Sequence, residues 1–124
     1  MATVLVVDDD PGIRLFMRRI LEKEKIDVVE ASNGKEGIEA FQAISPDVVV
    51  IDVIMPEVDG ISAIEEIRKI DSQAKIASIS GGDLFCPDIY LEEATATGAD
   101  ATISKPFSIQ CLKDCINKLL NTGR

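Results

Sequence analysis

The stretch TVLVVDDDP, residues 3–11, decides the fold: a run of apolar residues passes without interruption into three aspartates and a proline. An unbroken Val/Leu run of this kind is what a strand covered on both faces requires, since it has no wet side on which polar residues would alternate. Asp10 before Pro11 reads as a helix start, with an acid to accept the first free backbone N–H groups and a proline whose fixed φ suits the first helical position. Beyond it, Ile13, Phe16, Met17, Ile20 and Leu21 recur at helical spacing and predict a stripe facing the core.

Outward from this unit the same alternation repeats to the end of the chain. Strands are predicted at Thr3–Val7, Asp27–Ala31, Asp47–Ile51, Lys75–Ser80 and Ala101–Ser104, and the third is as apolar as the first, so these two should be central. After the first helix, Ser32-Asn33-Gly34 is a loop leading into a helix over Lys35–Ala43. Further helices are predicted over Gly60–Ile70, over Asp88–Thr97 with Gly98 as its stop, and over Ser108–Asn121. Five strands and five helices joined by right-handed crossovers give an α/β, three-layer, flavodoxin-like (βα)5 fold with a central parallel five-stranded sheet in the order 2-1-3-4-5. In such a sheet the ligand crevice lies at the carboxyl ends of the strands beside the switch point between the first and third.

With 124 residues and 46% apolar composition, the chain is expected to be one domain, residues 1–124, with no room for an output domain. Thirteen basic against 22 acidic residues give a net charge of −9, which disfavours direct binding to nucleic acid or to an anionic membrane. No basic-then-apolar leader is seen and the longest apolar runs are too short for membrane insertion, so a cytoplasmic location is expected. Cys86, Cys111 and Cys115, with no histidine in the chain, support neither a disulfide framework nor a Cys/His zinc site. Cys111 and Cys115 share a helix face and are expected to be packing residues, and Asp59, Asp83 and Asp100 are expected to be surface or turn acids.

The polar residues at the strand ends carry the chemistry. Asp8 and Asp9 follow the first strand, Asp52 ends the third, Ser80 the fourth, and Lys105 follows the fifth. Three carboxylates brought to one edge repel one another and call for a divalent cation, and an all-oxygen site suits Mg²⁺ better than zinc. Lys105 adds a positive charge, Ser80 a hydroxyl and the Gly81 peptide an unobstructed N–H. These groups suit phosphoryl oxygens, since phosphoryl transfer asks the protein mainly to neutralise charge and hold nucleophile and leaving group in line.

Val6-Val7-Asp8-Asp9, Asp52 followed by Met55-Pro56 and Gly60, Ser80-Gly81, and Lys105-Pro106-Phe107 together resemble the signature of the response-regulator receiver domain, in its proper order and over essentially the whole chain. The resemblance implies that Asp52 is the phosphoacceptor and that Asp9 and Asp52 ligate Mg²⁺ directly, with Mn²⁺ as a substitute. It implies that Asp8 acts through a bound water and the Ile54 backbone carbonyl completes the protein ligands. Ser80 and Lys105 would bind the phosphoryl group, and the Lys105-Pro106 peptide would be cis, an isomer proline allows. The implied donor is a sensor histidine kinase or a His-phosphotransfer protein, docking on the first helix and the loops around Asp52. A downstream protein target would read the result, or phosphate would be relayed onward.

Three positions depart from the family pattern. Thr102 stands where receivers usually carry an aromatic switch residue, so Phe85 or Tyr90, in or beside a long loop with paired glycines at Gly81-Gly82, is expected to report phosphorylation instead. Ile54 and Gly82 occupy sites where many receivers carry polar side chains that orient the hydrolytic water, which predicts slow self-dephosphorylation. Two other classes compete: a pseudo-receiver that binds partners without phosphorylation, and a small Mg²⁺-dependent phosphatase using Asp52 as nucleophile. The intact Asp and Lys set argues against the first, and the lack of a substrate-binding insertion or general acid against the second.

Overall fold

The computed structural model describes residues 2–53, 60–80, 99–104 and 107–121. Five strands, β1 (Thr3–Val7), β2 (Asp27–Ala31), β3 (Val48–Asp52), β4 (Ile76–Ser80) and β5 (Ala101–Ser104), form one parallel sheet in the order β2-β1-β3-β4-β5. The described helices are α1 (Pro11–Lys23), α2 (Gly34–Ile44), α3 (Gly60–Ile70) and, near the carboxyl terminus, α4 (Ile109–Leu120). The helix expected over Asp88–Thr97 lies outside the described residues, as does Cys86.

Sheet order and helix placement agree with the sequence reading, and the central strands are β1 and β3 as expected. Their side chains alternate between two apolar layers. Val4, Val6, Val48 and Val50 meet Met17 and Leu21 of α1 and Leu112 and Ile116 of α4. Leu5, Val7, Val49 and Ile51 meet Phe41 of α2 and Ala63, Ile64 and Ile67 of α3. Between Val4 and Val7 and between Val48 and Ile51 these two strands are wholly apolar because each of their faces is covered.

Helix starts follow local hydrogen bonding. The Asp10 carboxylate accepts the Gly12 N–H at 2.8 Å, and the Ser108 hydroxyl accepts the Cys111 N–H at 3.0 Å. Asn33 caps α2 by accepting the Glu36 N–H at 2.9 Å, while Glu36 accepts both the N–H and the hydroxyl of Ser32, a reciprocal cap that starts the helix at Gly34, one residue before the expected Lys35. These bonds hold the Glu36 carboxyl below the usual carboxylate range. α2 lies close on the sheet at Gly37, where an added Cβ would stand 2.8 Å from a Val7 methyl.

Four expectations need correction. The core stripe of α1 is narrower than the periodicity suggests: Met17, Ile20 and Leu21 are buried and Ile13 half-buried, but Phe16 is 39% exposed. Its ring looks sideways to Phe107, with centroids 6.0 Å apart, instead of down onto the sheet. Cys111 is exposed, whereas Cys115 packs against the core and burial pushes its thiol up. Asp47 precedes β3 as a brace, its N–H donating to the Thr3 carbonyl and its carboxylate accepting the Thr3 N–H, and β4 likewise begins at Ile76, after Lys75.

Asp100 is the fourth. Its side chain is only 9% exposed, binds the Arg68 guanidinium at 2.8 Å and accepts the Ile76 N–H at 2.8 Å, tying α3 to the start of β4 and the approach to β5. Arg68 also donates to the carbonyls of Ser72 and Ala74. Removing one partner of an enclosed ion pair strands the other, so Asp100→Ala should lower unfolding free energy by about 3 kcal/mol, read from urea unfolding. Asp71→Ala, on a solvent-exposed turn, should cost under about 1 kcal/mol.

Candidate functional site

β1 and β3 are neighbours with Val7 opposite Ile51, so the residues that follow, Asp8 and Asp52, stand side by side at the carboxyl edge of the sheet. Asp8 is fully buried, Asp52 is 4% exposed, and Asp9, one residue further along the turn, is exposed. A carboxylate oxygen from each of the three lies within 4.8 Å of the other two. The arrangement occupies the switch point, where β2 and β3 lie on opposite sides of β1.

Several contacts hold this edge. The Asp8 N–H extends the β1–β2 ladder by donating to the Ala31 carbonyl at 3.1 Å. One Asp8 carboxylate oxygen accepts the Asp10 N–H at 2.9 Å, and the Asp8 carbonyl accepts from Arg14 Nη1 at 2.6 Å. On the other side, the Val53 N–H donates to the Ile79 carbonyl at 2.9 Å, fixing the turn out of β3. Gly60, the first residue of α3, sits on the Asp52 backbone so closely that a Cβ there would stand 2.0 Å from the Asp52 carbonyl oxygen.

Arg14 and Glu30 were not singled out by sequence reasoning. Glu30 of β2 accepts from Arg14 Nε at 3.0 Å and from Arg18 Nε at 2.6 Å, joining α1 to the edge strand. The only signal in the sequence is the four-residue spacing of the two arginines on one helix face. The Arg18 hydrogen bond, aided by Arg14, holds the Glu30 carboxyl below the usual carboxylate range. A carboxyl with a depressed folded-state pKa contributes stability that is present above its unfolded value and lost as pH falls through the folded one. The stability advantage of the wild type over Glu30→Gln should therefore hold at neutral pH and shrink as pH is lowered below about 4.5, as read from urea midpoints across that range.

Of the residues predicted to form the site, Asp8, Asp9 and Asp52 are brought together. The backbone of Ser80 ends β4, opposite Ser104 and next to the Ile79 that pairs with Asp52. Ile54, Gly81, Lys105 and Pro106 lie outside the described residues, as do Gly82, Phe85 and Tyr90. Thr102 is exposed on β5, opposite Ser78. A separate surface cleft of about 250 Å³ lies between α1 and α4, bordered by Phe16, Ile20, Lys23 and Ile109 and by none of the three aspartates.

The donor set is all oxygen, with two carboxylates buried and one open to solvent, which fits a hard divalent cation approached from the water side. Positive charge beside Asp8 and Asp52 would offset their mutual repulsion, and a divalent ion could supply it.

Comparison with known proteins gives the family and agrees with the fold. Residues 4–117 match the model of the response regulator receiver domain. The chain is 40% identical to the chemotaxis protein CheY of Bacillus subtilis, over 95% of this chain and 97% of that one. It is 30% identical to the sporulation initiation phosphotransferase F of the same organism, over 94% and 92%. Its fold superposes on the crystal structure of a response regulator receiver domain protein from Clostridium thermocellum with a TM-score of 0.88 and 31% identity, covering 98% of this chain and 95% of that one.

Proposed function

The chain belongs to the response regulator receiver domain family of two-component signalling, and from that premise we propose that it accepts a phosphoryl group on the Asp52 carboxylate from a phosphohistidine donor. The observation that carries this reading is the meeting of the Asp8, Asp9 and Asp52 carboxylates at the switch point, with Asp52 nearest the chain turn of a central strand.

The work of this chain's own residues is placement and charge. Asp52 is a nucleophile whose backbone is held by its pairing with Ile79 of β4 and by the helix start at Gly60, so it has little freedom to lose when the donor arrives. Asp8, Asp9 and Asp52 would hold Mg²⁺, with Mn²⁺ as a substitute and the Ile54 carbonyl as a further ligand. The cation would supply positive charge to the oxygens of the transferring group. Ser80, which ends the neighbouring strand β4, is assigned with Gly81 and Lys105 to those same oxygens. The donor is a sensor histidine kinase or a His-phosphotransfer protein, and the phosphorylated surface speaks to a downstream protein.

This reading makes the protein a signalling switch and not a classical enzyme. Incubation with Mg²⁺ and acetyl phosphate followed by intact-mass measurement should give one phosphoryl adduct on the wild type and none on Asp52→Asn. An adduct on both proteins, or on neither, contradicts the assignment.

A further inference from the structure

Asp9 is the one exposed member of the carboxylate group, and its carboxylate takes no hydrogen bond from any described residue. What aims it is therefore the backbone beneath it. The peptide joining Asp8 to Asp9 is planar, so the direction of the Asp8 carbonyl fixes the direction of the Asp9 N–H and the point from which the Asp9 side chain leaves. That carbonyl is held by a side chain: Arg14 Nη1 donates to it at 2.6 Å.

Arg14 is itself held. Its Nε donates to Glu30 at 3.0 Å, Glu30 also accepts from Arg18, and the Arg14 side chain is only 17% exposed. The planar guanidinium thus spans two acceptors, a carboxylate on the edge strand and a carbonyl in the acidic turn, in a fork whose geometry an ammonium does not reproduce. We infer that Arg14 is a positioning residue for divalent-cation binding, fixing the Asp8–Asp9 peptide so that the Asp9 carboxylate faces those of Asp8 and Asp52. The inference rests on the phosphoacceptor reading and adds to it a residue on α1 that touches neither cation nor phosphoryl group.

Two opposite effects of Arg14 can be separated by sign. As a mere positive charge near three carboxylates, Arg14 would repel a cation, and Arg14→Ala would bind Mg²⁺ more tightly. As a clamp on the peptide, its loss leaves Asp9 to be ordered by the cation itself, and binding weakens. Titration of the protein with Mg²⁺ alone, followed by the amide signals of Asp8 and Asp9 in ¹H–¹⁵N spectra, reads the dissociation constant directly. We expect Arg14→Ala to weaken it by about fivefold, and Arg14→Lys, whose ammonium keeps the charge but cannot span both acceptors, to recover less than half of the loss on a logarithmic scale. Urea unfolding at zero Mg²⁺ reports any general loss of structure separately.

Equal or tighter binding by Arg14→Ala overturns the clamp while leaving the phosphoacceptor reading intact, as does an Arg14→Lys protein that binds Mg²⁺ as tightly as the wild type. Absence of saturable Mg²⁺ binding by the wild type overturns both. Should Arg14→Ala fail to fold, Glu30→Gln tests the same contact from its other side: a weaker hold on the guanidinium should weaken Mg²⁺ binding in the same direction, and unchanged affinity rejects the clamp.

Discussion

Gly60→Ala should destabilise the domain by about 3 kcal/mol or more, a large effect for the addition of one methyl group. The added Cβ would stand 2.0 Å from the Asp52 carbonyl oxygen, 2.5 Å from the Val53 Cα and 2.7 Å from the Asp52 carbonyl carbon. All three are backbone atoms, so no side chain can rotate away. The helix would have to withdraw, yet Ala63, Ile64 and Ile67 of the same helix are buried against the sheet and hold it down. Gly37→Ala is the matched comparison, because its Cβ would meet only Val7 methyl groups, at 2.8 and 3.1 Å, and a loss of about 1–2 kcal/mol is expected there. Urea unfolding of the two variants beside the wild type decides the matter; a Gly60→Ala protein within about 1 kcal/mol of wild type would show that the approach of α3 to the Asp52 backbone is not a constraint.

Asp8→Asn should move stability and function in opposite directions. Two unit charges 4.8 Å apart repel by about 3.5 kcal/mol at an effective dielectric constant of 20. Asp8 has such neighbours in Asp9 and Asp52 and is fully buried besides. Asparagine keeps an oxygen able to accept the Asp10 N–H while removing the charge. Part of the relief is offset by attractive contacts that Asp8 also makes, so a net gain of about 1–2 kcal/mol is expected in chelator-treated protein. Saturating Mg²⁺ should raise the urea midpoint of the wild type, because a ligand that binds only the folded state stabilises it by mass action, and should do little for Asp8→Asn. Phosphoryl transfer from acetyl phosphate should fall by at least about a hundredfold. A variant less stable than wild type without metal, or one still stabilised by Mg²⁺, would refute this account.

The parts of the fold that could be read from the chain are those set by local chemistry. β1 and β3 announce themselves because strands buried on both faces show an unbroken apolar run between their ends, and Asp10-Pro11 marks the start of α1 through its own capping geometry. The acidic edge was legible for the same reason, since Asp8, Asp9 and Asp52 lie at the ends of recognisable strands. What could not be read depends on partners far along the chain. Asp100 looks like a turn acid until the packing of α3 delivers Arg68, 32 residues away, to its carboxylate. Arg14 looks like one charge on a wet helix face until the register of β2 places Glu30 opposite it. Phe16 fits the helical period, but Phe107 draws its ring to the margin of the core.

The sheet is also a partition. Val4 and Val6 face one apolar layer and Leu5 and Val7 the other, so among the described residues the α1–α4 half and the α2–α3 half form two separate apolar clusters that share a backbone. Among the described residues, damage on one side reaches the other through the strand ladder. Truncations such as Leu112→Ala and Ile64→Ala should accordingly be close to independent in a double-mutant cycle. Each half is then free to drift in sequence, or to acquire a binding surface, without consulting its neighbour. The carboxyl edge, where the two halves meet around Asp52, is the place where a change on one side must be answered on the other.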